Sequence, residues 1–354
     1  MTVKRIICAF IALMILICCC SCEQKGSKST DERFVPKLRV HFVDVGQGDC
    51  ILMESAHEFV LIDAGEREYS DRVVDYIKEQ GANRLKYVIA THPHSDHIGG
   101  TRSVLNTVDA DNFITKESDS DTLMWTRLLK TVADKGINYI DAEVGATYTF
   151  GESTFTIMGP LSDTFEEYNS ASVVIKARCG DISFLLTGDS DYLSNNEMID
   201  SGEDLTADVL KLGHHGSNDA TSSGFLQAVD PMFAVISCGK DNDYGHPSKE
   251  TMQKLELIGC ESFRTDTQGA IVAETDGQRL HITTAFDSAE GNYTAGGRRH
   301  DLSPLDPVGN RKSMLFHDPT CDGVASMNPN NKVSLSSRSE AIAQGYKPCS
   351  ACKP

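Results

Sequence analysis

The stretch "THPHSDHIGG", residues 91–100, places His92, His94, Asp96 and His97 within six positions and closes on two glycines. Imidazole nitrogens and carboxylate oxygens at this density suit zinc, manganese or iron. The segment "LKYVIATH", residues 85–92, reads as a buried strand, so the motif leaves a strand end and runs through a loop toward a helix. In an extended segment His92 and His94 face the same way. Asp96 and His97 cannot join that pair without strain. The spacing therefore favours two adjacent metals, one on His92 and His94 and one on Asp96 and His97.

Each metal needs further ligands, and a carboxylate that touches both must come from another strand end. "ISFLLTGDSD", residues 182–191, supplies Asp189 directly after an apolar run and a glycine. "DVLKLGHHGSN", residues 208–218, supplies His214 and His215, and "NDYGHPS", residues 242–248, supplies His246. All three repeat the order of strand, polar loop and helix, and loops at strand ends can converge on one edge of a sheet.

The rest of the chain reads as many strands with interspersed helices. Strands are expected at "LRVHFVDVG", "CILMES" and "EFVLIDAG", and then at 111–116, 153–159, 171–178, 207–213, 233–239 and 269–276. Helical spacing appears in 71–81, 120–136, 223–230 and 248–259. This pattern predicts a layered α/β sandwich. From about residue 287 the texture turns to Gly, Pro and polar residues without a period, which reads as a linker over 287–312 before a small module at 313–354.

The N-terminus reads as an export signal. Lys4 and Arg5 precede an apolar run that is short for a membrane span, which needs about 20 residues. The run ends in "CCSC". This resembles a bacterial lipoprotein signal, 1–22, with Cys22 as the lipidated residue, or else it is an uncleaved anchor. Residues 23–37 have linker composition, and the body is expected outside the cytoplasmic membrane. The chain carries 33 Lys and Arg against 51 Asp and Glu, a net charge of −18. Such a surface repels nucleic acid unless metals or a local basic patch offset it. Cys50, Cys179, Cys238 and Cys260 lie in apolar segments and read as small core residues.

In order along the chain, "HFVDVGQGD", "LIDAG", "THPHSDHIGG", "NSASVVIK", "FLLTGD", "DVLKLGHHGS" and "YGHP" together resemble the metallo-β-lactamase fold, covering residues 38–286. Within it they resemble the hydrolase domain of ComEC-type competence proteins and their secreted relatives. The resemblance implies an αββα sandwich. It assigns His92 and His94 to one metal, Asp96 and His97 to the other, and Asp189 to the bridge, and His246 matches the late histidine of the superfamily. Most members carry a metal histidine between the first motif and the bridging aspartate, yet residues 98–188 contain none. "GHHGS" supplies the replacement from either His214 or His215, the other acting as a hydrogen-bond donor behind it. Asp63 either orients a metal histidine or caps the turn before Gly65.

Two adjacent divalent metals, zinc or manganese, clamp the attacking and leaving oxygens of a displacement and activate water at neutral pH. Asp189 and Asp96 would seat and orient that water. The reaction class is hydrolysis, with no organic cofactor indicated. The resemblance points to DNA as substrate. Other phosphoesters such as phosphocholine, lactones, and a non-catalytic DNA-binding role remain alternatives.

The tail holds a second constellation. Cys349 and Cys352 form a C-x-x-C knuckle, and His317 lies four residues before Cys321. Four N and S donors suit a closed, structural zinc. A disulfide between Cys349 and Cys352 is the competing reading. "SRSEAIAQGYKPC" resembles the Ada-type metal-binding domain, which has a cysteine at the place of His317. Methyl transfer is therefore not expected. From Gly296 to Pro354 there are eight Lys and Arg against five Asp and Glu, a net +3, which suits a tether for nucleic acid or a solvated linker.

Overall fold

A computed structural model describes residues 33–286, 290–297 and 299–354. The export signal, Cys22 and most of the 23–37 linker lie outside the described residues.

Two sheets face one another. The first has nine strands in the order β16-β15-β14-β1-β2-β3-β4-β5-β6. These are β1 Leu38–Phe42, β2 Ile51–Ser55, β3 Glu58–Ile62, β4 Arg84–Ile89, β5 Asp109–Thr115, β6 Asn138–Asp141, β14 Ile271–Thr275, β15 Arg279–Thr284 and β16 Glu290–Thr294. The second has seven strands in the order β13-β12-β11-β10-β9-β8-β7. These are β7 Thr147–Phe150, β8 Ser153–Gly159, β9 Val174–Cys179, β10 Ile182–Leu186, β11 Val209–Lys211, β12 Phe233–Ile236 and β13 Glu261–Arg264.

Alternate residues of each strand go to opposite faces, and in central strands such as β3, β10, β11 and β12 both faces are buried. In β3, Val60 and Ile62 point into the layer between the sheets, where they meet Phe42, Ile175, Phe184 and Val235. Leu61 points the other way, into a layer with Val73, Ile77, Val104 and Trp125 from helices Ser70–Glu79, Thr101–Thr107 and Leu123–Asp134. On the far side Leu185 and Leu210 pack with Met198, Phe225 and Leu255 from helices Tyr192–Ser201, Ser223–Val229 and Lys249–Ile258. Burial on both faces is why the strands read as continuous apolar runs. The result is the expected αββα sandwich. No helix among the described residues is long and apolar enough to cross a membrane.

Parallel pairing places the functional loops. β3, β4 and β5 run parallel in the first sheet, and β10, β11 and β12 run parallel in the second. Asp63 follows β3, the His92–His97 motif follows β4, Asp189 follows β10, and His214 and His215 follow β11.

The stretch 287–312 differs from the linker expected there. β16 pairs antiparallel with β15 and widens the first sheet. A 3-10 turn at Ser303–Leu305 buries Leu305 completely in the outer layer of the second sheet. Val308–Asn310, β17, is the hub of a small sheet, β19-β17-β18-β20, with β18 Leu315–His317, β19 Lys332–Ser334 and β20 Lys347–Pro348. Pieces this short bury at most two side chains each, and β19 and β20 bury none. The burial comes from tertiary neighbours, so no period appears in the sequence.

Candidate metal centre

Asp63 is the first fixed point. It takes a left-handed backbone conformation, φ 54°, directly after β3. Its carboxylate accepts from the Thr91 amide at 2.9 Å, from the Thr91 hydroxyl at 2.6 Å and from His97 Nδ1 at 2.7 Å. Of the two readings of Asp63, this geometry is that of an orienting group. The loop "GQGD" packs beneath the same motif. A Cβ on Gly48 would lie 2.2 Å from the Asp96 carbonyl, and that Gly has φ 137°, so only glycine fits there.

His97 Nε2 then faces Asp189 Oδ1 at 3.2 Å. Both atoms are buried, and neither has a hydrogen-bond partner. His215 behaves alike. Its Nδ1 donates to the Ser237 carbonyl at 2.9 Å, and its Nε2 faces Asp96 Oδ2 at 3.2 Å and Asp189 Oδ2 at 3.5 Å. In each ring the Nδ1 proton is committed and Nε2 is aimed at carboxylates, which is how a protein presents a metal-binding imidazole. Donor atoms of Asp96, His97, Asp189 and His215 all lie within 4.8 Å of one another. A divalent cation fits this donor set.

The electrostatics agree. Burial opposes charge on His97, but the Asp189 and Asp63 carboxylates outweigh it and hold the ring well above the ordinary histidine range. His215 is likewise raised to about 9, with Asp189 overcoming burial. Burial would raise Asp189, yet the charges of His215 and His97 hold it well below the carboxylate range. The cluster thus attracts positive charge, and metal would compete there with protons.

His92 and His94 adjoin this cluster. His92 Nε2 and His94 Nδ1 are 2.9 Å apart, and His92 Nε2 is 3.9 Å from Asp189 Oδ2. Asp189 therefore sits between the two pairs, with Oδ1 toward His97 and Oδ2 toward His92 and His215. Burial pushes both His92 and His94 below the usual histidine range.

His214 and His246 stand farther out. His214 lies beside Asn169 and Asp219, with Nδ1 3.6 Å from Asp219 Oδ1. His246 is ring-to-ring 5.3 Å from His214 and 6.5 Å from His215. Its Nδ1 is buried without a partner, and burial together with His214 and His215 lowers it to about 4. Both His214 and His215 have left-handed backbones, φ 46° and 55°. Such conformations cost on the order of 1 kcal/mol each for non-glycine residues, and they turn the two adjacent rings to different partners.

Two participants escaped the sequence reading. Asp49 and Lys211 form an ion pair of 2.6 Å with both side chains sealed from solvent, and Asp49 Oδ1 lies 3.6 Å from His215 Nδ1. The signal was a lysine inside the apolar strand "ADVLKLG", next to the histidine pair. A buried charge without a partner is costly, so that lysine required a carboxylate.

In the tail, donor atoms of His317, Cys321, Cys349 and Cys352 also lie within 4.8 Å of one another, and Cys321 Sγ is 3.5 Å from His317 Nδ1. The seven described cysteines are free thiols, so the alternative Cys349–Cys352 disulfide is absent. Burial raises the Cys349 thiol, but backbone amides of Cys352 and Ala351 outweigh it and bring it below the usual range. Amides aimed at a sulfur favour the thiolate that a metal needs. Tetrahedral zinc fits this set.

Sheet order, convergent strand ends and a carboxylate between two histidine pairs define a metal-dependent hydrolase fold. Residues 43–240 match the metallo-beta-lactamase superfamily, and the chain belongs to it. It is homologous to "ComE operon protein 3" of Bacillus subtilis, 28% identical in a 256-residue alignment that covers 66% of this chain and 32% of that protein. It is also 28% identical to "Competence protein ComA" of Neisseria gonorrhoeae over 64% of this chain and 31% of that protein. "Recombination protein 2" of Haemophilus influenzae matches at 28% over 71% and 30%. The chain thus spans about a third of the length of these relatives.

Proposed function

We propose that the protein is a lipid-anchored, extracytoplasmic phosphodiesterase that acts on DNA and carries two divalent metals, zinc or manganese. The position of Asp189 between His92 and His94 on one side and His97, Asp96 and His215 on the other is the observation that carries this reading. The competence proteins among its relatives favour nucleic acid as substrate. Anchoring would run through Cys22.

When bound, such metals supply Lewis acidity and a nucleophilic water at neutral pH. The chain's own residues do the rest. Asp63 fixes the ring plane of His97, and the Ser237 carbonyl fixes that of His215. The Asp49–Lys211 pair fills the floor behind His215 and excludes water there. Asp96, with a quarter of its side chain exposed, is the carboxylate nearest the open side and is placed to hold a reacting water by hydrogen bond. The tail is stapled by a structural zinc on His317, Cys321, Cys349 and Cys352.

The deciding experiment assays the purified chain, loaded with zinc and separately with manganese, on single-stranded DNA, a chromogenic phosphodiester and a lactone. Phosphodiester hydrolysis lost in Asp189→Asn is the expected result. Hydrolysis of the lactone alone would replace the substrate class. Inactivity on all three despite full metal loading would favour a binding role.

A further inference from the structure

We propose that Arg67, Arg102 and Arg127 form a phosphate-binding cleft that holds a nucleic-acid strand beside the metal centre. The choice of nucleic acid rests on the phosphodiesterase reading. The anion-binding character of the cleft does not.

The cleft measures about 320 Å³. It lies between the turn Arg67–Tyr69, helix Thr101–Thr107 and helix Leu123–Asp134, and the three arginines share its wall with Ser103 and Asn106. No acidic residue lines it. That is unusual in a chain with 51 acidic and 33 basic residues. Elsewhere seven arginines, Arg39, Arg72, Arg84, Arg264, Arg279, Arg299 and Arg338, form ion pairs with carboxylates, while Arg178 donates to the Gly180 carbonyl. Among the described residues the three cleft arginines form no ion pair, and they come from three separate elements. Three guanidinium groups gathered without counter-charge repel one another, and an anion relieves that repulsion.

One of them is also held in place. Arg102 Nε donates to Thr131 Oγ1 at 3.2 Å, which ties its helix to the neighbouring one. The two terminal nitrogens remain for a ligand, and this fork matches two phosphate oxygens. The apolar side of the cleft includes Leu123, 62% exposed, and Met124, which suits the sugar or base that a phosphate carries with it.

Position connects the cleft to the chemistry. Ile98 and Gly99, in its wall, directly follow His97. A Cβ on Gly99 would lie 2.5 Å from the Arg67 amide, so the arginine-bearing turn packs directly on the metal motif. An acidic body needs such a patch to hold a polyanion. The basic tail answers the need only in part, since Arg299 and Arg338 are already committed to Asp208 and Asp200.

The test measures binding of a fluorescein-labelled 12-nucleotide phosphorothioate single strand, which resists hydrolysis, to the metal-loaded protein by anisotropy, from 25 to 200 mM salt. The variants are R67Q/R102Q/R127Q and, for comparison, the tail variant R311Q/K312Q. All five side chains are hydrophilic surface groups, and thermal melting confirms the fold. The cleft variant should bind at least about tenfold more weakly, with a salt slope lower by about 2, since each single-strand phosphate contact contributes about 0.7. The tail variant should change less. On hydrolysable substrates, KM for DNA should rise while kcat on a small chromogenic phosphodiester stays the same. Unaltered binding and slope in the cleft variant overturn the proposal, as does failure of the unmodified protein to bind at 25 mM salt. Retained DNA binding with loss only of affinity for phosphatidylglycerol vesicles also overturns it. Cleft-dependent binding without hydrolysis would leave this inference standing and defeat the phosphodiesterase reading.

Discussion

Lys254 and Asp318 form an ion pair of 3.0 Å, with both side chains shut off from solvent. The lysine also donates to Asn218 Oδ1 at 2.9 Å and to the Thr221 carbonyl at 2.6 Å. Asp318 directly follows His317 of the tail cluster and accepts from the Ser223 amide at 3.1 Å. Asn218 and Thr221 flank Asp219, the partner of His214. The tail is therefore docked on the loop that follows the histidine pair. Removing one partner of such a pair leaves the other charge buried, at a cost of about 3–5 kcal/mol. Lys254→Met and Asp318→Leu should each destabilise the protein by that order in urea unfolding. The double variant should recover much of the loss. Single variants as stable as the parent would show the pair to be open to water.

The two adjacent histidines should separate cleanly in metal binding. His215 presents Nε2 to Asp96 and Asp189, whereas His214 lies beside Asn169 and Asp219. His215→Ala should lose bound metal by mass spectrometry, and His214→Ala should keep most of it. Asp63→Asn, which weakens the hold on His97 Nδ1, should lower metal affinity by about 10–100-fold in a chelator competition. The reverse order for the two histidines would exchange their roles.

Much of this centre is legible in the sequence because metal-binding chemistry draws on few residue types and strand ends bring them together. The residues of "THPHSDHIGG", Asp189 and "GHHGS" could all be placed at strand ends from their local pattern, and the two sheets bring those ends together. The choice between His214 and His215 could not, because it depends on two left-handed backbone conformations that histidine rarely adopts. Asp49 and Lys211 are 162 positions apart, and nothing local links them. The same holds for the arginine cleft, whose members come from segments with unrelated patterns. β16 and Leu305 were hidden for another reason: each is held by the surface it lands on, not by a period of its own.

Tail and body should load metal independently. Cys349→Ser removes one of four clustered donors that are remote from Asp189 in the chain. One zinc equivalent should disappear while metal at the Asp96, His97, Asp189 and His215 cluster persists. Because the tail core is only Phe316, Leu335, Ala341 and Tyr346, loss of that zinc should also expose the tail to proteolysis. Unchanged stoichiometry would refute the tail site.

His41 supplies a pH signature away from any metal. It is buried on β1, its Nδ1 is hydrogen-bonded with the Tyr76 hydroxyl at 2.9 Å, and its Nε2 has no partner. Burial, with a contribution from the Arg39 charge, lowers its pKa from 6.5 to about 4. In the unfolded chain the ring takes a proton below pH 6.5, whereas in the folded chain it does so only below about 4. Between these limits the unfolded state binds more protons, so stability falls as pH falls. At 1.36 kcal/mol per unit this amounts to at most about 3 kcal/mol, complete by pH 4. His41→Gln abolishes that titration. The difference in unfolding free energy between parent and variant should be constant above pH 7 and shift against the parent from 6.5 to 4. A constant difference over the whole range would mean that the ring is charged, or wet, in the folded protein.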